Sequence, residues 1–289
     1  MMPTALRDAY ATICQNVIKT GHVTKPRGYE TREVLGVTMV FQDLHQAIPV
    51  GTGRNLNPAI GAAEALLLCG GISDPTLLCN VSSQFKKFLD GGILHGSYGP
   101  RVRPQLPKAV ERLSKDPDSR QAFISIWDGL YDADNTRDLP CTVSFNFHIR
   151  DERLIMHSHM RSQDVFLGLP YDVFFFGQLG MTVAKALDLD PVETQLVHTV
   201  DSLHAYARNF DAIEELEPYS EGLVTDAEKD AVHGPLGFGD RGNTIETAMI
   251  KARDIHAGDL ECDMNESEQW YVRQLMPYDR LSATSNFTV

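Results

Sequence analysis

The stretch LPCTVSFNFHIRDERLIMHSHMRSQDVFLGLPYDVF, residues 139–174, decides how this chain is read. Its first half alternates. Val143, Phe145, Phe147 and Ile149 face one way and Ser144, Asn146 and His148 the other, the period of a strand with one buried face. Arg150-Asp151-Glu152-Arg153 reads as a tight turn, and residues 154–160 return as a second strand, closing a hairpin. Beyond Pro170, the apolar run from Val173 to Leu187 has the length of a buried helix.

Upstream of the hairpin, residues 4–20 suit a helix and residues 31–42, TREVLGVTMVFQ, a strand. Asn57 and Pro58 resemble an N-cap and first helical position for AIGAAEALLLC, which stops at Gly70-Gly71. Residues 82–90 read as a short helix, 91–104 as a Gly-, Pro- and Arg-rich loop, 105–115 as a helix and QAFISIWD as a strand. Downstream, residues 195–206 read as a strand. Past residue 210 the chain turns acidic and helical, and its last residues, LSATSNFTV, read as loose. No repeat and no linker interrupts this order. Helices interleaved with strands and hairpins predict an α/β (α+β) fold in one domain over residues 1–289.

Composition narrows the class. A chain of 289 residues can bury a sizeable core. With 39 acidic and 26 basic residues the formal net charge is −13, which disfavours general nucleic-acid binding, because that binding needs Lys and Arg to neutralise phosphates. Five cysteines, an odd number with no CxxC pair, read as reduced thiols. No secretory signal opens the chain, and no run reaches the roughly 18 apolar residues of a membrane helix. A soluble, cytoplasmic protein without a membrane partner is expected.

Several residues stand out as candidates for chemistry. Cys141 follows a proline at the start of a strand. It reads as a small buried hydrophobe or as a nucleophile, and a nucleophilic thiol needs a cation nearby to lower its pKa. The hairpin can bring Arg161 there. Glu64 lies in a helix with hardly another polar group. It is an exposed position, or it points inward and must be paired, protonated or catalytic. His157 and His159 form an HxH pair on a strand, but no third ligand lies at a telling spacing, so no metal is expected. The glycine-rich GTGRN at 51–55 lacks the Lys-Ser/Thr of a P-loop and reads as a turn.

Taken in order, these motifs resemble the thymidylate synthase family. The matching signature is Arg161-Ser162-Gln163-Asp164-Val165-Phe166-Leu167-Gly168-Leu169-Pro170-Tyr171-Asp172, placed after a Pro-Cys and a hairpin. Glu64 before a glycine pair, Tyr98-Gly99, Asp118-Ser119-Arg120 and DSLHAYARNF with His204 and Tyr206 follow the family's order. The resemblance covers about residues 25–210, leaving 211–289 as a C-terminal helical extension. The family places an asparagine where this chain has Asp172. An ionised carboxylate only accepts hydrogen bonds, which suits the exocyclic amine of cytosine and opposes the carbonyl of uracil. With that change the chain looks like the phage deoxycytidylate hydroxymethylases. It departs from family patterns at Gln121, where many relatives carry a second arginine, and at Thr142, where they carry histidine.

The resemblance implies a twisted mixed sheet with flanking helices and a homodimer with sheets packed back to back and shared sites. It implies Cys141 as nucleophile and Glu64 as acid/base, with Asp172 reading the base. Phosphate falls to Arg161, to Arg27 (preferred over Lys25) and to Arg120 from the partner subunit, whose charges would favour the thiolate. Ser162, His204 and Tyr206 complete the nucleotide site. Asp164, Tyr98 and Gly168 would line the site of 5,10-methylenetetrahydrofolate. The implied reaction is hydroxymethylation of dCMP. The alternatives are a CMP hydroxymethylase of nucleoside-antibiotic biosynthesis, a methylating enzyme, and a non-catalytic folate or nucleotide binder. A phage-encoded protein would work in its host's cytoplasm.

Overall fold

The computed structural model describes residues 4–132, 138–225, 237–259 and 264–275. Cys262 and the terminal LSATSNFTV fall outside them. The strands are β1 (His22–Thr24), β2 (Thr31–Phe41), β3 (Phe123–Ser125), β4 (Thr142–Arg150), β5 (Arg153–Met160), β6 (Gln163–Asp164) and β7 (Gln195–Tyr206). They form one mixed sheet in the order β1-β2-β7-β5-β4-β3, with β6 also paired to β7. The β4–β5 hairpin closes as expected. Its turn puts Asp151 and Glu152 at φ 51° and 59°, the left-handed region that a two-residue hairpin turn demands. QAFISIWD contributes only the three residues of β3.

The helices are α1 (Leu6–Thr20), α2 (Pro58–Gly70), α3 (Thr76–Val81), α4 (Gly99–Val102), α5 (Leu106–Lys115), α6 (Leu169–Ala186), α7 (Phe210–Glu214), α8 (Ile245–Ala257) and α9 (Glu266–Leu275). β5 and β7 run parallel, and a parallel pair needs a crossover, which α6 supplies. α6 packs on β5 and β7, α1 on β2, and α2 on α6. Phe145, Phe147, Phe174 and Phe176 are fully buried between sheet and helices. Burying each such ring stabilises the fold by roughly 1.5–3 kcal/mol.

Three expectations change. The helix after the signature begins at Leu169, not Val173, with Pro170 in its first turn, because proline is pre-set for that turn. Asp172 is therefore a helical residue. The expected loop 91–104 contains the single turn α4. The core reaches beyond 25–210: α1 belongs to it, and α8 and α9 of the extension pack on α2, with Trp270 5.9 Å from Phe174 between ring centroids. α2 is apolar on nearly all sides because it is covered on both, by α6 and by these tail helices.

Candidate active site

Cys141 stands one residue before β4, opposite Arg161 at the end of β5. The Arg161 backbone N–H donates to the Cys141 carbonyl at 2.8 Å. This closes the mouth of the hairpin, where a bulge between Thr142 and Ser144 shifts the register. The Arg161 guanidinium donates from Nε to the Pro140 carbonyl (3.0 Å) and from Nη2 to the Leu139 carbonyl (3.2 Å), and Nη2 lies 3.9 Å from the Cys141 sulfur. It also lies 5.6 Å from the centroid of the Trp127 ring. These bonds fix the fork and leave Nη1 without a partner among the described residues.

The resemblance implied that arginine charge would favour the Cys141 thiolate. Arg161 and Arg27 do lower its pKa, but burial is the largest influence, and Asp172 and Asp138 add to it, so the thiol sits above its ordinary value. In this state the sulfur is protonated at neutral pH.

Glu64 and Tyr98 approach from the helical side. The Asn57 Oδ1 accepts the Ala59 N–H at 3.1 Å and starts α2. Gly61 lets α2 close on α6: a Cβ there would lie 2.9 Å from the Phe174 ring. That approach brings Glu64 toward Asp172. The Glu64 carboxyl is pushed well above the usual carboxylate range, first by burial and then by the Asp172 charge. Gly99 explains the Tyr98-Gly99 pair. A Cβ at Gly99 would lie 2.2 Å from the Leu67 carbonyl, so only glycine lets α4 touch the end of α2. Tyr98 is thereby held against Phe175 and Phe176. Its hydroxyl is raised well above the ordinary value by burial, then by Cys141 and Asp172, which face the same space.

Asp172 sits in the first turn of α6. Its carboxyl is raised to about 7, mainly by burial, with the Asp164 charge adding and a hydrogen bond from Gln163 opposing. Gln163 Nε2 donates to Asp172 Oδ2 at 2.9 Å. Gly168 packs tightly here: a Cβ would stand 3.1 Å from the Asp164 carbonyl oxygen and 3.2 Å from Asp172 Oδ2. Asp164 Oδ1 accepts the backbone N–H groups of Phe166 and Leu167, both at 2.9 Å, and so turns the chain from β6 into α6. Its second oxygen has no donor among the described residues. Ser162 is half-buried between Arg161 and Gln163.

A second group gathers at the end of β7. Arg27, in a left-handed conformation (φ 54°), donates from Nη2 to the Tyr206 hydroxyl at 3.3 Å. The His204 ring meets the Tyr206 ring edge-on at 5.2 Å. Lys25 turns to Glu30 at 3.6 Å, while the charge of Arg27 reaches Cys141. Arg120 stands apart. It is exposed in the turn before β3, with no hydrogen bond or ion pair to a described residue.

The HxH pair does other work. His159 Nε2 contacts Asp201 Oδ1 at 2.9 Å, and His157 meets the His148 ring edge-on at 5.3 Å. Among the described residues no three His, Cys, Asp or Glu side chains converge as a metal site. No described helix is long and apolar enough to cross a membrane. GTGRN is a turn, with Gly51 and Gly53 at φ 66° and 78°. Its Arg54 donates to the Tyr10 hydroxyl and the Phe166 carbonyl, bracing the signature loop.

Sequence reading missed the polar residues beneath Asp172, namely Gln163, His198 and Ser158. The signal was present. Inward positions of β5 and β7 are otherwise apolar (Leu154, Met156, Met160; Leu196, Val200), so Ser158 and His198 break the pattern on the buried face. The more visible histidines, His157 and His159, lie on the opposite face.

Residues 8–219 match the family described as thymidylate synthase. The deoxyuridylate hydroxymethyltransferase of Bacillus phage SP01 is similar to this chain, with 30% identity over 246 residues. The matched region covers 78% of this chain and 63% of that relative, so the chain spans less than two thirds of the relative's length. The match takes in both halves of the cluster, from α2 with Glu64 to the end of β7, and the chain belongs to the thymidylate synthase family.

Proposed function

We propose that this chain is a pyrimidine-nucleotide 5-hydroxymethyltransferase acting on dCMP, with 5,10-methylenetetrahydrofolate as co-substrate and water entering the product. The observation that carries the reading is Asp172, a carboxyl held by Gln163 in the space shared with Glu64, Tyr98 and Cys141. A carboxylate there accepts from the 4-amino group of cytosine, where uracil offers a second acceptor.

Each residue then has a task. Arg161, whose Nη1 has no partner among the described residues, and Arg27 grip the phosphate as charged forks, and Ser162 lies beside them. His204 and Tyr206 take the sugar hydroxyl. Cys141 Sγ gives up its proton and bonds to C6 of the ring, which turns C5 into an enamine-like nucleophile. The folate would supply a one-carbon unit at the oxidation level of formaldehyde, so that C5 bonds to that carbon as the carbon–nitrogen bond to tetrahydrofolate breaks and the C5 proton is lost. Asp164 would hold the pterin, its second oxygen, which has no donor among the described residues, accepting from a pterin N–H. Gly168 leaves room beside it. Glu64, partly buried with its carboxyl raised well above the usual range, orders the water that adds to the transferred carbon and moves the proton. The C6–S bond then breaks and Cys141 is released. The balance is dCMP, methylenetetrahydrofolate and water giving 5-hydroxymethyl-dCMP and tetrahydrofolate.

The working form is read as a homodimer joined through the sheet face opposite the helices, with the partner's Arg120 on the phosphate. Support comes from Arg120 having no partner among the described residues and from partly exposed apolar groups on that face, such as Phe123.

A second reading, hydroxymethylation of dUMP, draws on the SP01 relative, whose name says that it acts on deoxyuridylate. Because Asp172 titrates near 7, its protonated form could donate to the uracil carbonyl. Incubating the protein with methylenetetrahydrofolate and dCMP, CMP, dUMP or UMP, read by mass spectrometry, separates the readings. Addition of CH2O to dCMP is expected. Addition of CH2 indicates methylation, preference for CMP or dUMP moves the substrate, and no product with any nucleotide supports a binder.

A further inference from the structure

Behind Asp172 a chain of hydrogen bonds runs into the core. Ser158 Oγ lies 2.7 Å from His198 Nδ1, His198 Nε2 lies 2.8 Å from Gln163 Oε1, and Gln163 Nε2 lies 2.9 Å from Asp172 Oδ2. Ser158, His198 and Gln163 are at most 2% exposed. Ser158 and His198 are register partners on β5 and β7. Gln163 precedes Asp164 on β6. Three secondary-structure elements thus converge behind one carboxyl of the site.

Burial holds the His198 pKa down at about 3, among apolar neighbours that include Phe41 and Phe176. A neutral imidazole has one N–H and one lone pair, so the chain can run in only two directions. In one, Ser158 donates to Nδ1, Nε2–H donates to Gln163 Oε1, and the Gln163 amide donates to Asp172. In the other every bond reverses, Gln163 turns its carbonyl to Asp172, and Asp172 must carry a proton to meet it. The observed Gln163 geometry is the first.

We propose that Ser158, His198 and Gln163 are a positioning relay that sets which hydrogen-bonding character Asp172 presents to the pyrimidine, and hence the choice of base. In its observed direction the relay donates to Asp172 and keeps it an acceptor. The base-choice half of this proposal rests on the reading of Asp172 given above. The directional half rests on the relay alone.

Other charges also bear on Asp172. Glu64 faces it from α2, Asp164 from β6, Tyr98 from just ahead of α4 and Cys141 from ahead of β4. None of these residues is substituted in the relay variants, so a change in Asp172 titration that His198→Gln reverses reports the relay.

The test has three arms. In unliganded wild type, nitrogen-15 NMR should find His198 neutral with its proton on Nε2. A proton on Nδ1 overturns the proposal without any variant having to fold. Second, the Asp172 carboxyl is followed by carbon-13 NMR, assigned with Asp172→Asn. Gln163→Met, of similar length but without a donor, should raise the Asp172 midpoint by about one pH unit or more, the size expected for one charge-assisted hydrogen bond. His198→Leu should move it the same way, and His198→Gln, which can again donate to Gln163, should bring it back. Midpoints unmoved in folded Gln163→Met and His198→Leu overturn the relay, as does failure of His198→Gln to recover where His198→Leu has shifted.

Third, kcat/KM for dCMP and dUMP is measured across about pH 5 to about pH 9. The dCMP-to-dUMP ratio should fall at least about tenfold in Gln163→Met. A ratio that holds while the midpoint shifts overturns the link to base choice. A wild type that prefers dUMP refutes the dCMP reading, and the two NMR arms still decide the relay separately.

Discussion

Replacing Asp172 by asparagine should change both which base is processed and how stability depends on pH. The asparagine side chain keeps an oxygen for the Gln163 amide, which donates to Asp172 at 2.9 Å, but it adds N–H donors and removes the charge. The cytosine complex loses a charge-assisted hydrogen bond, worth about 1.5–3 kcal/mol, while uracil gains a donor for its carbonyl. The dCMP-to-dUMP ratio of kcat/KM should therefore fall at least about tenfold. Stability gives an independent check. The folded Asp172 midpoint is raised from 3.8 to about 7, chiefly by burial. Between those values the folded state holds a proton that the unfolded state has lost, so the native state loses stability as pH rises through this window. At about 1.4 kcal/mol for each pH unit, the upper limit is about 4 kcal/mol. The asparagine variant lacks this loss, so its stability relative to wild type should grow from about pH 4 to about pH 7 and then level off. Urea melts over that range, alongside steady-state assays on both nucleotides, make the measurement. An unchanged base ratio would remove Asp172 as the base reader. A pH-independent stability difference would mean that its carboxyl is not held protonated by burial.

Cys141→Ala should abolish product formation while leaving circular dichroism and nucleotide binding near wild type; turnover at the wild-type rate would exclude covalent catalysis by this residue. Mixing Arg120→Ala chains with Cys141→Ala chains should restore part of the activity, since one site of the mixed dimer escapes both lesions. No recovery despite demonstrated subunit exchange would exclude sharing of Arg120 between sites. Gly99→Ala should destabilise the fold by about 1–3 kcal/mol, because its Cβ would meet the Leu67 carbonyl at 2.2 Å, and a melt matching wild type would show that α4 can move aside freely. The relative rate on dUMP should rise as pH falls below about 7, as Asp172 gains a proton and can donate, and a flat pH profile of the base ratio would contradict that.

The linear order of residues was enough for the hairpin and the main helices. Period-two alternation from Val143 to Ile149 is local, so it survives any tertiary arrangement. Asn57-Pro58 and Gly70-Gly71 bracket α2 by backbone chemistry alone. Cys141 and Arg161 could be paired from sequence because a hairpin makes positions 20 apart into neighbours. Tertiary structure decided the rest. Whether Glu64 faced solvent or site depended on α2 closing on α6 at Gly61, a contact between segments with no local signature. Only coordinates show that Arg27, left-handed within Pro26–Gly28, turns to Tyr206 while Lys25 turns to Glu30. The balance at Cys141 also needed coordinates, since burial raises its pKa and nearby arginine lowers it, and only distances and packing say which prevails. The tail helices joined the core because α2 has two apolar faces and α6 covers only one. The relay behind Asp172 lay beyond linear reading for the same reason. Ser158, Gln163 and His198 come from three strands, and a hydrogen bond between buried side chains is set by where the strands lie, not by spacing along the chain.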